Sequence, residues 1–243
     1  MKNPIKPNIL PWFTMGAGGL GLALQVWLTS GIDKKGLLPA AHPASTLVFI
    51  LSALVLAVLF LASRTLAPIS KYHRLYPAGL GRALGNLFAA AGCLYGGIYY
   101  LKSAAGLGIL TFIVGIAAAA SLGYVAFLRL KGRRPQMVLH TIATVFFMLF
   151  TVCSCRSWST ASQILSYIFP LFSCVFLMLT SYHTTALDVR KGGRQWLVFF
   201  SQASLFFCCL SLTGKTRFFF LMMILYLALD LCSVSQKRQP EEA

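Results

Sequence analysis

The stretch GLGILTFIVGIAAAASLGYVAFL, residues 106–128, decides the fold class of this chain. It runs for 23 residues without a charged side chain, and a helix needs about 20 mostly apolar residues to cross roughly 30 Å of hydrocarbon. Lipid offers the backbone no hydrogen-bond partner, and the stretch lacks the alternation of a barrel strand, so an α-helix is the remaining solution. The stretch therefore predicts a membrane-spanning helix.

The composition of the whole chain is typical of an integral membrane protein. Hydrophobic residues make up 58% of the 243 residues and charged residues only 11%, and the mean hydropathy is +0.75. A globule of this length has too little interior to hide so much apolar surface from water. We therefore predict an all-α, polytopic membrane helix bundle that forms one transmembrane domain over residues 1–243.

Eight apolar segments of suitable length follow one another along the chain. The first is interpreted as a retained span rather than a cleaved signal peptide, because its apolar run is about 20 residues long and no A-x-A-like site closes it. The predicted spans cover about 9–30, 44–66, 81–101, 106–128, 136–155, 160–182, 195–213 and 218–233, and a short polar tail follows at 235–243.

The distribution of cations predicts the orientation of these spans, because cytoplasmic loops retain an excess of Lys and Arg. With the N-terminus inside, fifteen of the 21 Lys and Arg residues fall on the cytoplasmic side and six on the outside. An even number of spans then places both termini in the cytoplasm. The membrane expected from this pattern is the plasma (cytoplasmic) membrane.

The net charge of +16 needs no nucleic acid as a partner. Cations that flank membrane spans set the topology and attract anionic lipid headgroups, each near-surface cation contributing about 1 kcal/mol. The partner expected at the cytoplasmic face is therefore the anionic surface of the bilayer.

Small residues recur every four positions in the third and fourth spans. Such faces allow close approach of helix backbones in lipid, so we expect an antiparallel pair packed face to face. The run MGAGGLG at 15–21 indicates either another helix contact or a thinned segment beside a cavity. The two faces comprise Gly81, Gly85, Ala89, Cys93 and Gly97, and Gly115, Ala119 and Gly123.

Asp230 is a carboxylate inside the apolar eighth span, where a charge costs a few kcal/mol. Its place near the C-terminal end of a helix disfavours an anion, so a cationic partner is expected. Arg64, Arg82 and Arg129 lie at comparable depth on other spans. We therefore predict an ion pair or a cytoplasmic gate that joins Asp230 to an arginine such as Arg64 or Arg82; a proton or cation relay is the other hypothesis.

The polar side chains deepest in the predicted spans are amides: Gln25, Asn86 and Gln202. Buried amides in a membrane point toward protein or water rather than toward lipid chains. These three are therefore the candidate solute-contacting residues.

The chain lacks the side-chain constellations of an intramembrane enzyme, since no paired carboxylates, nucleophile with a histidine, or metal cluster stands at suitable depth. We expect no catalytic residue, no metal and no cofactor. The seven cysteines contain no C-x-x-C pair and are expected to behave as small apolar residues; a disulfide among those near the external span ends is the alternative.

Two function classes remain open. The first is a carrier or channel for a small neutral or anionic solute, indicated by eight spans, a glycine-rich first helix and inward amides. The second is a non-transporting membrane partner, such as a sensor, complex subunit or assembly factor, indicated by the absence of a midplane charge and of a soluble domain. A polar cavity lined by the three amides favours the first, and a packed bundle favours the second.

Overall fold

The computed structural model describes residues 9–31, 42–66, 79–101, 105–133, 135–158, 167–189 and 193–235. Within these ranges the chain is helical and contains no β-strand. The predicted polar tail beyond Ser235 and the beginning of the sixth span, 160–166, lie outside the described residues. The helices are α1 (Ile9–Ser30), α2 (Pro43–Arg64), α3 (Leu80–Leu101), α4 (Ala105–Leu130), α5 (Met137–Trp158), α6 (Ile168–Asp188), α7 (Arg194–Leu210) and α8 (Arg217–Ser235).

Six of the described helices are long and apolar enough to cross a membrane: α1, α2, α4, α5, α6 and α7. The predicted helical membrane class is therefore confirmed at that level. The other two, α3 and α8, pack against each other and carry the charged residues Arg82 and Asp230.

In the region of the sixth predicted span, 160–182, helix α6 begins at Ile168 and continues to Asp188, beyond the predicted end. Proline lacks an amide hydrogen and is best accommodated in the first turn of a helix, and Pro170 stands in that turn of α6. The polar residues after 180 then continue the helix, because Thr184 and Thr185 donate to the carbonyls of Thr180 and Ser181 at 2.9 and 3.0 Å.

Six helices form a ring in chain order. Each of α3 to α7 packs against the next, and α8 closes the ring by packing against both α7 and α3. Helices α1 and α2 lie outside the ring, where both pack against α7. Helix α7 is consequently the most enclosed of the six span-like helices.

Neighbouring helices of the ring run antiparallel, so one end of the bundle collects several arginines. Near Cys93 and Gly97 of α3 the backbone meets Gly115 of α4, and Arg82 at the start of α3 lies beside Asp230 near the end of α8. We call this the basic end; it carries Arg64, Arg82, Arg129 and Arg194. The opposite end, called the far end, carries Arg156 and Arg217.

The small-residue faces meet only over part of their length. A Cβ added to Gly115 would lie 3.1 Å from the Cys93 carbonyl oxygen, and one added to Gly97 would lie 3.2 Å from Cα of Phe112. Gly85 instead faces α8, while Gly81 and Gly123 have no atom within 4 Å of an added Cβ. The α3–α4 contact is therefore tightest toward the far end.

The glycine run of α1 lies within a continuous helix and packs closely against α7. A Cβ on Gly18 would meet Cys209 at 2.9 Å, and a Cβ on Gly21 would meet the Leu210 side chain. This arrangement is a close helix contact, the first of the two interpretations of the run. Helices α1 and α7 share a direction, since successive positions on one meet successive positions on the other.

The outer surface of the bundle suits a lipid environment. Large apolar side chains point outward from several helices, and Trp12, Leu20, Leu61 and Ile113 are each more than half exposed. Many buried hydroxyls donate a hydrogen bond to a backbone carbonyl of their own helix. Thr14, for example, donates to the Leu10 carbonyl at 3.0 Å. Such back-bonding removes an unsatisfied donor from an apolar setting.

Candidate functional site at the basic end

Asp230 lies between two arginines from different helices. Its Oδ1 is 3.3 Å from Nη1 of Arg129 in α4 and 4.0 Å from Nε of Arg82 in α3. The side chain of Arg82 has no exposed surface, and that of Asp230 is 9% exposed. These three side chains form what we call the charge cluster, which is buried at the basic end.

Close packing of α3 on α8 places Arg82 beside Asp230. A Cβ on Gly85 would lie 3.3 Å from both the Leu229 side chain and the Tyr226 carbonyl oxygen. The glycine therefore allows the two backbones to approach at the level of the carboxylate. A bulkier residue at this position would separate Arg82 from its partner.

Helix dipoles partly offset the cost of burying the cluster. Arg129 lies in the last turn of α4, where the negative end of the dipole favours a cation. Asp230 lies near the C-terminal end of α8, which is unfavourable, but Arg82 brings it close to the positive N-terminal end of α3. Two guanidinium groups and one carboxylate leave a formal charge of +1 on the three side chains.

Two arginines named with Asp230 from the sequence have different places in the structure. Arg82 joins the charge cluster. Arg64 lies elsewhere, with its guanidinium over the rings of Phe60 at 5.0 Å and Trp196 at 5.5 Å. Arg129, which the sequence places at comparable depth, makes the shortest contact with the carboxylate.

The three candidate amides are buried, with Gln25 at 3% and Asn86 and Gln202 at 1% exposure. Asn86 donates from Nδ2 to the Arg82 carbonyl oxygen at 2.8 Å. Among the described residues, Oε1 of Gln25, Oδ1 of Asn86 and Oε1 of Gln202 have no hydrogen-bond partner. Three buried acceptors thus lack donors, which is costly in an apolar interior.

The three amides lie on three different helices of the structure, α1, α3 and α7. Gln25 follows Gly21 by one turn, and Gly21 faces Leu210, so Gln25 lies toward the far end. Asn86 is adjacent to the charge cluster through Arg82. Gln202 is on α7, which α8 separates from α3 in the ring.

The sequence analysis did not predict a hydrogen-bonded pair of hydroxyls in the basic half of the ring. Thr144 of α5 donates to Ser181 of α6 at 2.9 Å, and Ser181 donates to the His140 carbonyl at 3.4 Å. The spacing of Ser181, Thr184 and Thr185 on one helical face was the available signal. These groups make the interior of the basic half polar.

Aromatic side chains close the interior of the far half. The rings of Phe150 in α5 and Phe219 in α8 stack with centroids 4.1 Å apart. Tyr100 packs edge-on against Phe150, and its hydroxyl lies 2.7 Å from Ser154 Oγ. The far half of the ring is therefore closed by packed aromatic rings, and the charge cluster lies in the basic half.

The cysteines form no disulfide between helices in the part of the chain that the structure describes. All seven are free thiols, and Cys93, Cys153, Cys174 and Cys208 are buried. No group of three or more His, Cys, Asp or Glu residues there is arranged to hold a metal ion. The disulfide alternative is not found in this structure.

Comparison with family models, with curated proteins and with solved structures finds no match to this chain.

Proposed function

We propose that this polytopic membrane protein is a carrier for a small anionic solute, which reaches the charge cluster from the cytoplasm. The basic end faces the cytoplasm in this proposal, as the bias of fifteen cations against six predicts. All eight described helices then cross the membrane.

The observation that carries the proposal is the buried pairing of two guanidinium groups with one carboxylate. Burying charge costs several kcal/mol per ion, and geometry and additional hydrogen bonds must offset this cost. An incoming carboxylate or phosphate has the same chemistry as the Asp230 side chain and competes with it for the two guanidinium groups. Arginine is suited to this role because its planar fork binds such anions through two parallel hydrogen bonds.

Asp230 acts in this proposal as an internal competitor for the two arginines. With no solute present, its carboxylate occupies Arg82 and Arg129 and keeps α3, α4 and α8 together. A bound anion takes over part of these contacts, which loosens α8. Binding is thereby coupled to movement of the helix that also carries Phe219.

The interiors of the basic half and the far half of the ring differ. This difference supports access of the solute from the basic end only. The polar basic half includes Asn86, whose Oδ1 is buried without a donor. The far half is closed where Phe150 stacks on Phe219. A carrier needs such a barrier on one side of its site, and separation of this pair would open the other side.

The second candidate is a non-transporting membrane partner. The stacked pair of Phe150 and Phe219 favours it as well, because a permanently packed interior leaves no path across the bilayer. The charge cluster then serves only to hold α3, α4 and α8 together. The two candidates differ in whether the purified protein moves an anion.

Exchange of labelled anion by proteoliposomes separates the candidates. A panel of acetate, succinate, aspartate and inorganic phosphate is tested with wild type, Arg129→Gln and, as a matched control, Arg217→Gln, an exposed arginine at the far end. We expect wild type and Arg217→Gln to exchange at least one anion, and Arg129→Gln to lose that exchange. Wild-type exchange no faster than in protein-free liposomes, for every anion, overturns the carrier proposal.

A further inference from the structure

A second group of cations at the basic end lies outside the ring, where α2 meets α7. Arg64, the last residue of α2, is exposed, and its guanidinium lies over Phe60 and Trp196. Among the described residues its guanidinium donates no hydrogen bond and faces no carboxylate within ion-pair distance. The two cation–π contacts hold the guanidinium against these rings at the end of α2.

A second arginine lies at the start of the helix that α2 meets. Arg194 is the first residue of α7 and is partly buried, and in the described structure its Nε has no hydrogen-bond partner. The next residue, Gln195, donates from Nε2 to the carbonyl oxygens of Leu66 at 2.8 Å and Arg64 at 3.4 Å. These bonds fasten the end of α2 to the start of α7 and bring the backbones that carry Arg64 and Arg194 to one corner.

The chemistry of this corner matches an anionic phospholipid. Arg64 and Arg194 form no ion pair with a carboxylate of the described residues, and a phosphate suits such groups because it accepts several charge-assisted hydrogen bonds. Trp196 is 42% and Leu61 is 66% exposed beside them, and aromatic side chains of this kind favour the headgroup level of a bilayer. We infer that Phe60, Arg64, Arg194 and Trp196, the lipid corner, bind the phosphate of an anionic phospholipid in the leaflet at the basic end.

The exposed apolar face of α2 next to the cations indicates a lipid rather than a soluble phosphate. The outer face of α2 continues away from Arg64 with Leu61, Leu54 and Ile50, all strongly exposed and apolar. An acyl chain covers such a face while the headgroup meets the arginines. A free phosphate has no part that interacts with it.

The lipid corner is independent of the charge cluster. Helix α2 contacts α1 and α7 and lies outside the ring that contains Arg82, Arg129 and Asp230. Loss of lipid binding therefore leaves the proposal on anion transport untouched, and failure of transport leaves the lipid corner untouched. Its role is to tie α2 to α7 through a shared headgroup.

The experiment measures the thermal stabilisation of the detergent-purified full chain by phosphatidylglycerol, with phosphatidylcholine and inorganic phosphate as comparison ligands. Wild type is compared with Arg64→Gln, Arg194→Gln and the double variant. The matched control is Arg217→Gln, since that guanidinium lies over Phe218 at 5.4 Å, but at the far end. Native mass spectrometry counts the lipids retained by each protein.

We expect phosphatidylglycerol to raise the melting temperature of wild type and Arg217→Gln equally, and each single variant to lose roughly half of that rise. The double variant loses it together with one retained lipid. Equal stabilisation of the double variant and wild type, equal effects of the two phospholipids, or an equal effect of inorganic phosphate overturns the inference. Arg64→Lys keeps the charge and retains stabilisation, which distinguishes loss of binding from a folding defect.

Discussion

The Arg129 guanidinium lies 3.3 Å from the carboxylate of Asp230, although 101 residues separate the two in the chain. This contact links α4 to α8. Because Arg82 reaches the same carboxylate from α3, one acidic side chain joins three helices at the basic end.

Asp230→Asn should lower the free energy of unfolding by about 3–5 kcal/mol, the usual cost of breaking a buried ion pair. The substitution keeps the shape of the side chain but leaves two guanidinium groups without this negative partner. Thermal and denaturant unfolding in one detergent measures the change. A smaller loss is expected where water reaches the cluster, since the side chain is 9% exposed.

The double variant Asp230→Asn with Arg129→Gln provides the control for this prediction. Two residues that act through one contact are non-additive, so the double variant should lose less than the two single losses combined. Strict additivity would show that Arg129 and Asp230 contribute separately and would refute the pairing as a source of stability.

Gly115→Leu should destabilise the α3–α4 pair by about 1–3 kcal/mol, the usual range for overpacking. Even the Cβ of the new side chain would lie 3.1 Å from the Cys93 carbonyl oxygen and from the Phe146 ring. Gly123→Leu is the matched control, because nothing lies within 4 Å of its Cβ position. Equal melting temperatures of the two variants would argue against a close contact at Gly115.

Phe219→Ala should destabilise the bundle by about 3–5 kcal/mol, as expected for removal of a large buried aromatic ring. Phe219 is fully buried against Phe150. The neighbouring Phe218 is 49% exposed, so Phe218→Ala should change stability little. If the two alanine variants unfold alike, the aromatic closure of the far half contributes nothing measurable.

Single cysteines in a background without other cysteines test the orientation. Arg133→Cys in the exposed turn after α4 should react with a membrane-impermeant thiol reagent only from the cytoplasmic side. Lys215→Cys between α7 and α8 should react only from outside. The opposite pattern would invert the topology and would place the charge cluster at the external face.

Much of the fold follows from the sequence because membrane helices are long, apolar and internally hydrogen-bonded. The predicted span 81–101 differs from α3, Leu80–Leu101, by one residue. Helix α6 extends six residues past the predicted end of the sixth span, 182, and Pro170 stands in its first turn, where proline is best accommodated. The chemistry of single residues such as proline therefore helps to set helix ends that the length of an apolar run does not determine.

The candidate site was less predictable, because depth along a helix does not specify which face meets which neighbour. Arg64 and Arg82 lie at similar depth in the sequence, yet only Arg82 belongs to a helix that packs against α8. The order of the helices around the ring determines which of these arginines lies beside Asp230. A single sequence does not give that order. The same order places Asn86 on α3 and Gln202 on α7, with α8 between these two helices in the ring.

The central claim is that a small anion binds at Arg82 and Arg129 in competition with Asp230. The most direct test is the rise in melting temperature that acetate, succinate, aspartate or inorganic phosphate gives to Asp230→Asn and to wild type at constant ionic strength. A ligand at a hundred times its dissociation constant adds about 2.7 kcal/mol to the folded state. We predict that at least one anion stabilises Asp230→Asn more than wild type, because it replaces the missing carboxylate, and does not stabilise Arg129→Gln. Equal shifts in all three proteins for every anion would contradict the claim.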